Sequence, residues 1–189
     1  MKSYPDGYMA TENVNQTVLP FTGKRYAVLL GAAIILLTTT VPYLTMLNII
    51  LPVGIFLAGT VALHQTILRF QARLTYKEAF FLGCSTGLAG GAVSVVISFL
   101  LVQFFHYTPG MESFLLVIDW MLDTAKGKPE LKEQVRALLE ARKIVLAPVR
   151  LSFTDLLMNI VVFGGFYALI AGIGGSYAVL RLKRQAARG

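Results

Sequence analysis

The stretch LTYKEAFFLGCSTGLAGGAVSVVISFLLVQFF, from Leu74 to Phe105, contains no charged residue after Glu78. This run exceeds the ~20 residues that an α-helix needs to cross a bilayer. Small residues recur in it at three- or four-residue spacing, which places them on one helical face that a second helix can approach closely. The members of this stripe are Gly83, Gly87, Gly91, Ser94 and Ser98. We predict a membrane-spanning helix that packs tightly against another helix.

The composition of the whole chain also indicates a membrane protein. Of its 189 residues, 56% are hydrophobic and only 14% are charged, and the mean hydropathy is +0.66. A soluble domain would have about 25% charged residues. The single cysteine, Cys84, excludes a disulfide framework within the chain and a cysteine-based metal site.

Three other apolar segments complete the predicted all-α fold, a polytopic bundle of four transmembrane helices. The spans are expected at about 26–43, 49–70, 79–105 and 153–181. Residues 26–182 then form the membrane domain, between a polar tail (1–25) and a basic tail (183–189). The first span lacks a following small-residue cleavage site, so we expect it to stay in the mature protein. The second and fourth spans have small-residue stripes of their own: Gly54, Ala58 and Ala62, and Gly164, Ala168, Gly172 and Ser176.

Two local patterns fix where the third and fourth spans begin. Thr75 is followed three residues later by Glu78, and Ser152 is followed three residues later by Asp155. A hydroxyl residue and an acid at this spacing form a capping box, in which each side chain binds a backbone N–H at the helix start.

Residues 106–151 form the one sizeable segment predicted outside the membrane. The apolar residues after Pro109-Gly110 follow helical spacing, and a second amphipathic helix is expected to begin at Pro129. The two helices would form a small periplasmic insert over the bundle. Trp120 is expected to anchor the first of them at the water boundary of the membrane.

The charges are distributed unequally between the two sides of the predicted bundle. Four spans put both termini on one side, which has ten basic and three acidic residues, whereas the other side has seven of each. The net charge of +7 therefore lies entirely on the side of the membrane that holds the termini. The positive-inside rule assigns this side to the cytoplasm. Lipid headgroups explain such a face without nucleic acid, so we expect membrane lipids as partners. The basic residues at this boundary are Lys24, Arg25, Arg69, Arg73, Lys77, Arg181, Lys183 and Arg184.

Arg181 to Arg184 leave one alternative open. The group either recognises acidic lipids specifically or only anchors the last span, which is the default role of basic residues after a span.

Catalytic and cofactor signals are weak. None of the spans has an Asp, Glu, Lys or Arg near its centre, which a proton pump or ion transporter usually needs. No nucleophile–base pattern, zinc-protease motif or phosphate loop is present, so we predict that the chain is not an enzyme. We also expect no metal and no cofactor. His64 and His106 lie near opposite faces, so they cannot share one metal. Each is either an interfacial histidine or the single ligand of a pigment.

The layout resembles a known family. A closely joined helix pair precedes the start Thr75-Tyr-Lys-Glu-Ala-Phe80 and a glycine-rich third helix, and Tyr107-Thr-Pro-Gly-Met-Glu112 opens a charged amphipathic insert. This arrangement, over about residues 26–182, is similar to the bacterial membrane proteins grouped as domain-of-unknown-function family 4199. The resemblance implies a four-helix protein of the bacterial inner membrane and adds no site residue.

Two functions are compatible with these features. The first is a non-enzymatic accessory subunit that assembles with itself or with other membrane proteins, since small-residue stripes often join helices. If the third and fourth spans pack on each other, Gly54, Ala58 and Ala62 or the insert would make the contacts with partners. The alternative is a small transporter or lipid-handling protein, which would require a polar cavity between the spans.

Overall fold

Seven α-helices and one 3₁₀ turn account for most of the described chain. The computed structural model describes residues 19–49, 51–126, 129–147 and 151–188, and no strand occurs within them. The α-helices are α1 (Phe21–Thr40), α2 (Met46–Ile49), α3 (Val53–Phe70), α4 (Tyr76–Phe105), α5 (Met111–Ala125), α6 (Lys132–Leu146) and α7 (Phe153–Ala186).

Four of these helices, α1, α3, α4 and α7, are long and apolar enough to cross a membrane. They coincide with the four predicted spans. The prediction of an all-α, multi-pass membrane protein is therefore confirmed at this level.

The first two spans differ from their predicted limits because of prolines and basic residues. Helix α1 begins at Phe21 rather than near residue 26, so Lys24 and Arg25 belong to its first turns. Their long side chains can extend to the membrane boundary while the backbone stays helical. The helix ends at Thr40, because the residue before Pro42 is disfavoured in helical conformation. Helix α3 begins only at Val53, directly after Pro52.

Both predicted capping boxes are present. The Thr75 hydroxyl accepts from the Glu78 backbone N–H, and the Glu78 carboxylate accepts from the Thr75 backbone N–H at 2.8 Å. The Ser152 and Asp155 pair makes the same two bonds at the start of α7. These bonds define where the two longest helices begin.

Each long helix packs most extensively against two others. Helix α4 lies between α1 and α7, and α3 contacts the same two helices on the other side of the bundle. Gly31 faces Thr86 and Ile35 faces Gly90, so α1 and α4 run parallel. Helices α4 and α7 run antiparallel. We call the end that holds the first turn of α1 and the last turn of α7 the basic end, and the opposite end the insert end.

The two shorter helices α5 and α6 pack on each other and join the bundle at one corner. The Ser113 hydroxyl, which is fully buried in α5, lies 2.6 Å from the Thr45 hydroxyl and accepts from the Tyr43 backbone N–H. Tyr43 has a positive φ of 66°, a conformation that bulky residues rarely adopt. The Ser113 contact therefore holds α5 against a sharp turn of the chain.

The second helix of this insert begins later than predicted. Pro129–Leu131 form a 3₁₀ turn, and α6 follows from Lys132. Gly127 and Pro148 precede and follow this second helix in the sequence, as residues that often interrupt helices, and both lie outside the described residues. None of the residues of α6 is buried, so this helix rests on the surface of α5.

Candidate ligand-binding site

The glycine stripe of α4 touches the backbone of α7. A methyl group added at Gly87 would lie 2.2 Å from the Tyr167 carbonyl oxygen, and one at Gly83 would lie 2.5 Å from the Ala171 carbonyl oxygen. Real Cβ atoms do not come so close, so the two helix backbones are in direct contact here. Further along, Gly91 meets Gly164 in the same way, with a Cβ-to-Cα distance of 2.9 Å.

The fourth-span residues contribute to this contact to different degrees. Ala168 is buried, and a methyl group at Gly172 would lie 2.7 Å from the Cys84 sulfur. A methyl group at Gly164 would meet only one atom, at 3.9 Å. Ser176 is half-buried and its hydroxyl donates to the Tyr76 carbonyl oxygen at 3.4 Å.

Helix α4 has a second contact face, which the sequence reasoning missed. A methyl group at Gly31 of α1 would lie 2.0 Å from the Thr86 side chain, and one at Gly90 would lie 2.7 Å from Ile35. Ser94 belongs to this face, because its hydroxyl lies 2.6 Å from the Thr39 hydroxyl of α1. Ser94 therefore packs against α1, whereas Gly83, Gly87 and Gly91 of the same predicted stripe pack against α7.

A third close contact joins α3 to α7. A methyl group at Gly59 would lie 2.1 Å from the Ala171 carbonyl oxygen, and one at Gly174 would lie 2.2 Å from the Phe56 carbonyl oxygen. In the sequence, the adjacent pair Gly174-Gly175 could have indicated this contact. Neighbouring residues on a helix point about 100° apart, so paired glycines serve two different neighbours.

The stripe of the second span is also used inside the chain. A methyl group at Gly54 would lie 2.8 Å from the Asn48 side-chain oxygen, and Ala58 and Ala62 have no exposed surface. The suggestion that these three residues contact other subunits is therefore wrong for the arrangement observed.

The packing loosens at the insert end. Two adjoining cavities of about 390 and 320 Å³, both partly open to the surroundings, lie there between the long helices, α2 and the insert. Both are bordered by Thr39, Thr108, Pro109 and Tyr167, so these residues separate them. Each volume lies within the 300–1,000 Å³ range typical of small-molecule sites. We call the two cavities together the chamber.

The chamber is lined by apolar side chains and by uncharged polar ones. Its apolar walls include Phe114 and Ile144 from the insert and Phe99 and Leu156 from the bundle. No charged residue is among the described residues that border it. The polar side chains are Thr38, Thr39, Thr45, Asn48, Ser94, Ser98, Thr108, Asn159 and Tyr167.

Unequal helix lengths create this space. Thr39, next to the end of α1, lies level with Ser94, whereas α4 continues to Phe105. At 1.5 Å per residue, α4 extends about 16 Å beyond Ser94. Helix α3 begins at a similar level, because Gly54 packs against Thr38. The end of α4, the start of α7 and the insert therefore surround a region that α1 and α3 do not fill.

Asn48 closes the base of the chamber. Its side-chain amide donates to the Thr38 carbonyl oxygen at 3.0 Å and accepts from the Ile55 backbone N–H at 3.3 Å. These two groups lie at the last turn of α1 and the first turn of α3, where helices lack internal partners. One side chain thus joins both helix ends.

Tyr107 precedes the chamber residues Thr108 to Gly110 in the connection between α4 and α5. Its hydroxyl is buried and has no hydrogen-bond partner within the described part of the chain. Burial and the nearby Glu112 carboxylate raise the pKa of this phenol. The group therefore stays protonated at neutral pH and can donate a hydrogen bond.

No protein-family model, curated protein or solved structure matches this chain. The interpretation of the chamber therefore depends on its own residues.

His64, His106 and Trp120 are not among the residues that line the chamber. His64 is half-buried in α3, and His106 is an exposed residue with a positive φ that ends α4. No group of three or more potential metal ligands occurs among the residues that the structure describes. Trp120 is 67% exposed on α5.

Aromatic rings hold several of the boundary cations at the basic end. Arg25 lies 4.5 Å from the Phe21 ring centre, Arg69 lies 4.7 Å from that of Tyr26, and Lys183 lies 4.3 Å from that of Tyr76.

Proposed function

We propose that this chain is a non-enzymatic integral membrane protein that binds a neutral, lipid-like molecule in the chamber. The observation that supports this most directly is the lining, which combines apolar walls with hydroxyl and amide groups and lacks charge among the described residues. A ligand with an apolar chain and an uncharged head bearing hydroxyl or carbonyl groups matches both parts.

The same lining disfavours ions and strongly charged head groups. Moving a charge into an apolar environment costs several kcal/mol unless an opposite charge or many dipoles compensate. Below the chamber, Gly31 and Gly90 bring α1 and α4 into direct contact. These features support a pocket that opens at the insert end rather than a path through the whole membrane.

Photolabelling tests this proposal. The full chain would be purified in neutral detergent and exposed to a monoacylglycerol with a diazirine on its chain. We expect labelled peptides from the end of α4, from the start of α7 and from residues 108–114. Labelling of the basic end alone would contradict the proposal.

Two substitutions on α4 provide the matched comparison. Ser98 lines the chamber, whereas Ser85 lies on the exposed surface near the opposite end. We expect Ser98→Phe to fill the space and abolish the labelling, and Ser85→Phe to leave it unchanged. Equal labelling of both variants would show that the probe does not enter the chamber.

An accessory role in a membrane assembly is the second candidate. The small-residue stripes were the first reason to expect such a role. That reason is weakened, because helices of the same chain pack against the stripes. The insert offers another surface, since Ile144 of α6 is 73% exposed and Leu146 is 54% exposed. Native mass spectrometry in mild detergent tests this role. A second protein or a second copy that dissociates in the Leu146→Glu variant would support it, and a strictly monomeric species would oppose it.

The cellular location belongs to the same proposal. We infer a bacterial inner membrane protein with both termini in the cytoplasm and the insert in the periplasm. The support is the excess of basic residues at one end, as the positive-inside rule requires. The resemblance to family 4199 is consistent with this location.

A further inference from the structure

The basic end contains a second, differently charged crevice. It has a volume of about 420 Å³ and lies between the end of α3, the connection from α3 to α4 and the end of α7. Its apolar residues are Ile67, Leu74, Val179 and Leu182, and the cations Arg73 and Lys183 also line it. Apolar side chains and two cations therefore border one space at the level where the headgroups are expected.

The cations of this crevice have no acidic partner in the described part of the chain. All three salt bridges found there belong to the insert, where for example Arg142 pairs with Asp119 at 3.5 Å. The acid nearest in sequence to Arg73 is Glu78, and its carboxylate accepts from the backbone and the hydroxyl of Thr75. An external anion is therefore the natural partner of Arg73 and Lys183.

Lys183 is also held in place. Its ammonium lies 4.3 Å from the Tyr76 ring centre, and such a contact reduces the freedom of a long side chain. Tyr76 is in turn close to α7, because its carbonyl oxygen accepts from Ser176. One of the two cations thus has a defined position at the edge of the crevice.

We propose that this crevice binds one anionic phospholipid of the adjacent leaflet. Its phosphate contacts Arg73 and Lys183, and one acyl chain lies against Leu74 and Leu182. The apolar residues favour a lipid over a free phosphate, and the two cations favour an anionic over a zwitterionic headgroup. This site does not depend on the chamber, which lies at the other end and takes a neutral ligand.

Native mass spectrometry of the delipidated full chain tests the proposal. Phosphatidylglycerol and phosphatidylcholine with identical acyl chains would be titrated separately. We expect tighter binding of phosphatidylglycerol, and we expect Arg73→Gln/Lys183→Gln to weaken it about 30-fold, at roughly fivefold for each of the two headgroup contacts.

The matched control removes the same charge from the same end. Arg181 and Arg184 do not line the crevice, so Arg181→Gln/Arg184→Gln should change the affinity by less than about threefold. Equal losses in both double variants would indicate a diffuse electrostatic effect and would overturn the proposal. So would equal affinities for the two lipids.

Two further experiments distinguish binding of the whole lipid from binding of its headgroup alone. Leu182→Gln keeps both cations, and we expect it to weaken the binding of the long-chain lipid. Glycerol phosphate should not compete at concentrations at which the lipid saturates the site. Competition by glycerol phosphate, or an unchanged affinity in Leu182→Gln, would show that the crevice does not bind the acyl chain.

Discussion

At the scale of single residues, the fold depends on glycines whose neighbours are backbone atoms. A flexible side chain can move away from an added methyl group, but the carbonyl of an adjacent helix cannot move without shifting that helix. Gly59, Gly87 and Gly174 all face such carbonyl oxygens, at 2.1–2.2 Å from the position of a Cβ. These positions should tolerate substitution least.

Gly87→Ala should therefore destabilise the protein by about 1–3 kcal/mol, because α4 and α7 must separate to admit the methyl group. Cys84, the one cysteine, lies beside Gly172 of α7 and reports this separation. The measurement is the temperature at which a thiol-reactive fluorophore labels Cys84. We expect that temperature to fall.

Gly165→Ala on α7 is the control for this substitution. No atom lies within 4 Å of its added methyl group, and alanine favours a helix over glycine by up to about 1 kcal/mol. The labelling temperature should stay the same or rise. A similar loss in both variants would contradict the role given to the helix contact.

Asn48→Leu should cost about 1–3 kcal/mol, because the carbonyl of Thr38 and the N–H of Ile55 would lose their partner. The same Cys84 labelling measures the loss. Asn159→Leu is the matched change at an asparagine that lines the chamber, and it should leave the stability nearly unchanged. Unchanged stability in Asn48→Leu would show that water replaces these bonds.

At the scale of elements, the insert is joined to the bundle far less extensively than the long helices are to one another. Helix α5 contacts the short helix α2, and α6 rests on α5. The Ser113 hydroxyl, at 2.6 Å from that of Thr45, is the polar contact at this joint. The insert can therefore loosen while the bundle stays folded.

Ser113→Ala should loosen the insert selectively, because Thr45 and the backbone of Tyr43 lose a buried hydrogen-bond partner. Such a loss costs about 1–3 kcal/mol, so amide exchange in α5 and α6 should accelerate about tenfold or more. Hydrogen exchange of these peptides is the measurement, with α4 and α7 as internal references. Uniform acceleration throughout the chain would contradict a local joint.

The elements were largely predictable from the sequence, because hydropathy and capping patterns act locally. The starts of α4 and α7 follow from Thr75 and Ser152 and their acids three residues later. The partners of each helix were predicted less well. Gly83 and Gly87 indicated a contact face on α4. The contact faces that include Gly31 of α1 and Gly59 of α3 were not predicted, because they depend on which distant helix of the chain packs beside them.

At the scale of the whole molecule, the two ends of the bundle differ. The basic end has a crevice with apolar sides, and its cations lack an acidic partner among the described residues. The insert end has the described salt bridges and a chamber without a charged residue in its described lining. The sequence could not predict the chamber. It exists because Thr39, near the end of α1, lies beside Ser94, so that the rest of α4 extends beyond α1. The relative position of α1 and α4 along the bundle is defined only when the helices are assembled.

The orientation of these two ends can be measured in intact cells. In a Cys84→Ser background, Lys126→Cys reports on the insert and Arg184→Cys on the basic end. An impermeant maleimide should label Lys126→Cys from outside the inner membrane and should label Arg184→Cys only after lysis. The reverse pattern would contradict the orientation inferred from charge.

The central claim is that the chamber holds a neutral lipid-like ligand. The most direct measurement is a cryo-electron microscopy map of the chain in nanodiscs made from its native membrane. We predict an elongated density in the chamber, in contact with Ser98, Asn159 and Tyr167 and under Phe114. A chamber closed by side chains, or a density that ends in a charged headgroup, would contradict the claim.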